Sequence, residues 1–182
     1  LRPFGFQHGG ALVHLSAPDG DAVLLDAGDD LVHFIRAGEH VAGKLLAAEQ
    51  LRAAERGVKV RVLIDDLDAR AKHDLFAIAD LHPNVDVRIF NPFYDRYGVI
   101  GQWSEFMLRG TRLNRRMHNK SFTVDGAVSI VGGRNVGDEY FDLDPVMNFR
   151  DRELLVAGPI VSQVTAGFEA FWSSTWTWLI ES

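Results

Sequence analysis

In the segment HNKSFTVDGAVSIVGGRN (118–135) an imidazole, an ammonium and a carboxamide stand at spacings that a hairpin would gather. Asp125-Gly126, flanked by SFTV and AVSIV, is the signal for a tight two-residue turn. With such a turn Val124 faces Ala127, Lys120 opposes Val131 and His118 opposes Gly133. Side chains alternate along a strand, so His118 and Lys120 project to one face. A glycine across from His118 leaves open space there. Asn135 lies just beyond and can donate from its amide, and Gly132 and Gly133 add backbone N–H groups. This set suits phosphoryl chemistry. An imidazole can attack phosphorus to give a phosphohistidine, or protonate a departing alkoxide. Lys120 and Asn135 can hold the non-bridging oxygens against the charge that grows in the transition state. The lysine supplies the cation, so neither a metal nor a cofactor is called for.

The elements that must position these groups are legible in part. VAGKLLAAEQLRAAER (41–56) carries Val41, Leu45, Ala48 and Leu51 at helical spacing, with Gly57 as its stop. VKVRVLIDD (58–66) and VDVRIF (85–90) are apolar, β-branched strands. Between them a helix is expected from Ala69 to Leu81, capped by Asp68 and ended before Pro83. RELLVAG (152–158) predicts a further strand, and Val161 to about Trp176 a last helix with Val164, Phe168, Phe171 and Trp172 on its apolar face. The opening to about Asp30 mixes Gly, Pro and Asp with short apolar runs and predicts no defined element. The fold class that follows is α/β, an α/β/α sandwich with a mixed sheet and helices on both faces, in one domain over residues 1–182.

At 182 residues, 47 % of them hydrophobic, the chain can bury a core of its own. A formal net charge of −6 speaks against a nucleic-acid partner bound through the overall field. There are no cysteines, which excludes disulfides and thiolate metal sites. No apolar run reaches the roughly 18 residues of a membrane span, and no signal peptide is seen. The chain begins at Leu1 rather than Met, as a processed or truncated piece would.

The pattern His118, any residue, Lys120, four residues, Asp125, six residues, Gly132, then Asn135 three positions on, resembles the phospholipase D superfamily motif. Gly133 departs from it, since many members carry Ser there, and one hydroxyl donor is lost. The wider stretch 112–142, the VRVLIDD strand and IFNPF resemble the bacterial cardiolipin synthase-like branch, and the likeness runs from about Leu31 to Trp176. The resemblance implies a phospholipase D-like half acting on phospholipids, as a hydrolase or a phosphatidyltransferase. It implies two such motifs per site, one His as nucleophile and the other as acid. This chain has one motif, so it would be the N-terminal half of a two-motif enzyme, or would find its partner in a homodimer. The resemblance also implies a downstream carboxylate that orients the His, by position Asp151. A peripheral membrane or cytoplasmic, bacterial-type location follows.

Other residues admit two readings. Asp125 belongs to the motif, but Asp before Gly is also what a type I′ turn wants, and the structural role is preferred. Asp65, Asp66 and Asp68 could form a metal or acid site after a strand, though a strand end with a helix cap is preferred. Arg109, Arg112, Arg115 and Arg116 form a basic cluster before His118, suited to a substrate phosphate or an anionic membrane surface, or else a solvated loop salt-bridged to nearby acids; the former is preferred, and Arg115 and Arg116 are taken as substrate-binding. Phe93, Tyr94, Tyr97, Trp103, Phe106 and Met107 would either meet a lipid interface or cover the core. The rival functions are a single-motif homodimeric nuclease and a half-domain inert without its partner.

Overall fold

A computed structural model describes residues 11–16, 42–69, 73–93, 116–135, 140, 146 and 148–180. Its centre is a mixed seven-stranded sheet in the order β6-β5-β4-β1-β2-β3-β7. The strands are β1 (Ala11–Ser16), β2 (Lys59–Asp65), β3 (Val85–Phe90), β4 (Lys120–Val124), β5 (Val128–Gly132), β6 (Glu153–Ala157) and β7 (Thr177–Leu179). β1 runs parallel to β4 and β2 parallel to β3, while the other neighbours are antiparallel. The helices are α1 (Ala42–Glu55), a single turn α2 (Asp66–Ala69), α3 (His73–Asp80) and α4 (Pro159–Trp172).

Alternation along the inner strands divides the core in two. Val13, Leu15, Val60, Val62, Ile64, Val87, Ile89 and Phe122 turn to one face, where Ala53 and Ala54 of α1 and Ala79 of α3 cover them. Leu12, Leu63 and Phe90 turn to the other, where they meet Met117 together with Phe168 and Trp172 of α4. The helices thus lie on both faces, as a sheet with two apolar sides requires. Gly57 ends α1 at φ 96°, a backbone conformation that favours glycine.

Several expectations are corrected. β1 and β7 were not expected, and both are ordered into the sheet. Of the helix expected over Ala69–Leu81, α3 is described and residues 70–72 lie outside the described residues, while Asp68 lies inside α2 rather than ahead of a helix. α4 ends at Trp172 because the chain turns back to lay β7 against β3.

The hairpin register is also shifted by one. Asp125 at φ 50° and Gly126 at φ 63° are both left-handed, as a type I′ turn needs, and Ala127 N–H donates to Val124 O at 3.0 Å. Yet Val124 pairs with Val128, which leaves Ala127 as an extra residue in the manner of a bulge. Lys120 therefore opposes Gly132 rather than Val131, and the same count carries His118 past the last paired residue.

Candidate active site

One rim of the sheet collects the chemistry-bearing groups. The C-terminal ends of β2, β3 and β5 and the N-terminal ends of β4 and β6 meet there, as the pairings Asp65 with Phe90, Lys120 with Gly132 and Gly132 with Glu153 require. Backbone N–H and C=O groups run out of ladder partners at a rim, and side chains at strand ends are free to converge on a ligand.

His118 sits just before β4 and is exposed, while Lys120, the first residue of β4, is 9 % exposed. Lys120 Nζ donates to His118 O at 2.9 Å and lies 3.1 Å from His118 Nδ1. An ammonium has only donors, so Nδ1 accepts in this contact, and a neutral ring then carries its proton on Nε2. In that tautomer Nε2 is a hydrogen-bond donor rather than a nucleophile. Asn135 follows β5 and is 4 % exposed, and neither atom of its amide has a hydrogen-bond partner among the described residues. A buried carboxamide without partners costs stability unless something else satisfies it. The group is suited to a ligand oxygen.

The glycines separate two strands of the site from a third. A Cβ added at Gly132 would stand 2.7 Å from Glu153 Cγ and 2.9 Å from Arg152 O. One added at Gly133 would stand 2.8 Å from Asp151 Oδ1 and 3.1 Å from its Cγ. Gly133 thus makes room for the Asp151 carboxylate, which makes no hydrogen bond to His118 among the described residues. Asp125 is not brought to this rim. It occupies the turn at the far end of β4, about 16 Å from Lys120 by strand rise, and its N–H donates to Leu15 O at 2.9 Å.

Arg115 lies outside the described residues, as do Arg109, Arg112 and the aromatic residues from Tyr94 to Met107. Arg116 is described, and it is turned inward rather than offered to a phosphate. Its Nη1 donates to Asp65 Oδ1 at 3.2 Å and to Asn91 O at 3.1 Å, and its guanidinium lies 4.6 Å from the centre of the Phe93 ring. Asp65 in turn accepts Met117 N–H on Oδ2 at 3.0 Å, and Asp66 accepts Phe93 N–H at 2.9 Å. The Asp65 and Asp66 carboxylates therefore hold backbone N–H groups and an arginine. Among the described residues no group of three or more His, Asp or Glu is placed to hold a metal ion. The clamp between Asp65 and Arg116 was not foreseen from sequence. Its signal, an acid at a strand end and an arginine two residues before the His, is visible only once the fold brings them together.

A second polar cluster lies under α4. His14, 7 % exposed, has Nδ1 at 3.3 Å from Arg61 Nη2, and Arg61 also donates to both carboxylate oxygens of Glu169, at 2.6 and 3.2 Å. Burial, joined by the Arg61 charge, holds the His14 imidazole below its ordinary value, against a smaller upward pull from Glu169 and Asp125.

An α/β/α sandwich with His-any-Lys entering a central strand, an Asn after the next strand and glycines between them is the arrangement of a phospholipase D-like domain. Sequence comparison agrees. Residues 39–172 match the model of the family described as cardiolipin synthase, phospholipase D-like domain, and the chain belongs to that family. It is 44 % identical over 135 residues to cardiolipin synthase C of Escherichia coli (strain K12), covering 74 % of this chain and 28 % of that protein. An uncharacterized protein of Helicobacter pylori is 40 % identical over 72 % of this chain and 26 % of its own length. Major cardiolipin synthase ClsA of Bacillus subtilis (strain 168) is 32 % identical over 79 % of this chain and 27 % of its own length. The chain thus spans well under a third of the curated relatives it matches. No solved structure matches significantly.

Proposed function

We propose that this chain supplies one half of a phosphodiester-transfer site acting on phospholipids, of the cardiolipin synthase kind. The observation that carries the reading is the convergence at one sheet rim of His118, Lys120 and the buried, unpartnered amide of Asn135. An anionic phosphate would draw Lys120 Nζ away from His118 Nδ1 and accept from Asn135, forming charge-assisted contacts in their place.

The reaction divides into two displacements. Nε2 of one His attacks phosphorus, the P–O bond to the leaving alcohol breaks, and the second His gives that alkoxide its proton. The alcohol of a glycerol-bearing lipid, or water, then attacks phosphorus and gives its proton to the second His as the P–N bond breaks, which returns the enzyme to its starting state. Attack by Nε2 needs the ring proton on Nδ1, opposite to the form that the Lys120 contact selects. Asp151, packed beside Gly133, is the carboxylate proposed to hold that proton after substrate moves Lys120. A second motif is required, from another part of the polypeptide or from a second copy, because one imidazole cannot attack and protonate in the same step. No described helix is long and apolar enough to cross a membrane; a peripheral approach to an anionic surface is proposed.

The test is chemical. Quenching the complete enzyme during turnover should trap a phosphoryl group on a histidine ring, labile in acid and stable in base. If His118 attacks, His118→Ala and His118→Asn abolish the adduct. If it is the acid, the adduct moves to the partner His and the loss is smaller for a nitrophenolate leaving group. Full activity of His118→Ala on both good and poor leaving groups, with unchanged folding, refutes the proposal.

A further inference from the structure

We infer that Asp65 is a positioning residue for His118, acting through a buried clamp on the two residues that precede it; the inference rests on the function proposed above. Asp65 is fully buried at the end of β2, and each carboxylate oxygen is committed to the segment entering β4. Oδ2 takes Met117 N–H at 3.0 Å and Oδ1 takes Arg116 Nη1 at 3.2 Å. The contacts address the backbone of one residue and the side chain of the other, which fixes the segment in both position and rotation.

The far side of Arg116 is tied down as well. The same Nη1 reaches Asn91 O at 3.1 Å, and Asn91, buried at φ 50°, donates its N–H to Trp176 O at 2.7 Å. Phe93, under the guanidinium, has its own N–H held by Asp66. Met117 is fully buried among Leu12, Leu63, Phe90, Phe168 and Trp172. His118 is therefore the first exposed residue after a segment held at backbone, guanidinium and apolar side chain. The ring meets Lys120 through Nδ1, and the clamp sets the backbone from which that ring projects. A charged acceptor in a buried place holds that geometry more firmly than a neutral one.

The experiment uses the complete, active enzyme carrying Asp65→Asn or Arg116→Lys. The first keeps size and an acceptor but removes the charge; the second keeps the charge but removes the planar guanidinium that lies over Phe93 and whose Nη1 serves both Asp65 and Asn91. Active sites are counted by the phosphohistidine burst, so that misfolded protein does not enter the rate. The expected result is a kcat per titrated site lower by about 10- to 100-fold, the scale of a misplacement near 1 Å, with KM changed less than about threefold. Ring nitrogen NMR signals of His118 should shift or broaden with it. If Asp65→Asn fails to fold, Arg116→Lys decides alone. Native kcat per site in the folded variants, or a raised KM with kcat unchanged, overturns the inference while an inactive His118→Ala leaves the function standing. If His118→Ala is itself fully active, the function fails first, and the positioning role fails with it.

Discussion

Gly132 and Gly133 are neighbours in sequence, yet a methyl group at each should have opposite consequences. At Gly132 the new carbon would lie 2.9 Å from Arg152 O and 3.1 Å from Glu153 Cα, both backbone atoms, besides 2.7 Å from Glu153 Cγ. Comfortable carbon contacts begin near 3.5 Å, so β6 must move outward. Its pairing with β5 over Val128–Ala157 to Gly132–Glu153 resists that movement. The cost belongs with overpacked sites, about 1–3 kcal/mol, which for a domain of this size lowers Tm by roughly 2–12 °C. At Gly133 the close atoms are the Asp151 carboxylate, 2.8 Å to Oδ1 and 3.1 Å to Cγ. A carboxylate at the rim can rotate away for about 0.5–1 kcal/mol, so Tm should barely change. The displaced group is, however, the one proposed to orient His118. Gly132→Ala should therefore lose stability first, and Gly133→Ala should lose turnover while staying folded. Thermal unfolding by circular dichroism, beside phosphodiester turnover in the complete enzyme, separates the two. A Gly132→Ala protein within about 0.5 kcal/mol of native, or a Gly133→Ala protein that is the less stable of the pair, would refute the reasoning.

Exhaustive dialysis of an active preparation against EDTA should leave turnover intact, because Lys120 and Asn135 supply the charge stabilisation; a large loss restored by Mg²⁺ or Zn²⁺ argues against this. The chain with a single motif should be nearly inactive when sizing shows only monomer, and activity strictly first order in protein at such dilution would contradict the need for a partner. Folded His14 titrates below its unfolded value of about 6.5, so the unfolded chain binds more protons in the interval between the two. Its contribution makes stability fall as pH drops below about 6.5 and level off beneath the folded value. His14→Gln should flatten that part of the urea-midpoint profile against pH, and an unchanged slope would show that His14 does not cause it.

How much of this was legible follows from the range of the interactions involved. The hairpin and its motif were readable because turn and strands lie within eighteen residues, and Asp125-Gly126 announces two left-handed conformations in a row. The register was missed by one because the bulge at Ala127 is a ladder property: the type I′ turn closes as expected, and the extra residue appears only where Val124 chooses Val128. β1 was missed because ALVHLS is buried on both faces, so apolar and polar residues need not alternate, and its partners β2 and β4 lie far along the chain. β7 has three residues, too few for a period, and is fixed by pairing with β3.

The same distinction explains why the particular partner of Arg116 is not legible in the sequence. In sequence it belongs to a run of arginines, and a cluster of like charges reads as a surface seeking anions. The fold gives it a fully buried anion, Asp65, from a strand fifty-one residues earlier. A buried carboxylate needs charge and donors to remain ionised, and the segment entering β4 provides both, from the Arg116 guanidinium and Met117 N–H. What resembled an acid site after β2 and what resembled a phosphate-binding arginine are thus, in part, the two sides of one structural contact. The net charge of −6 conceals it, because paired charges cancel in a sum whether they meet or not. The chemistry left facing outward at that rim is then narrower than the sequence offered: His118 exposed, Lys120 touching it, and the Asn135 amide unspent.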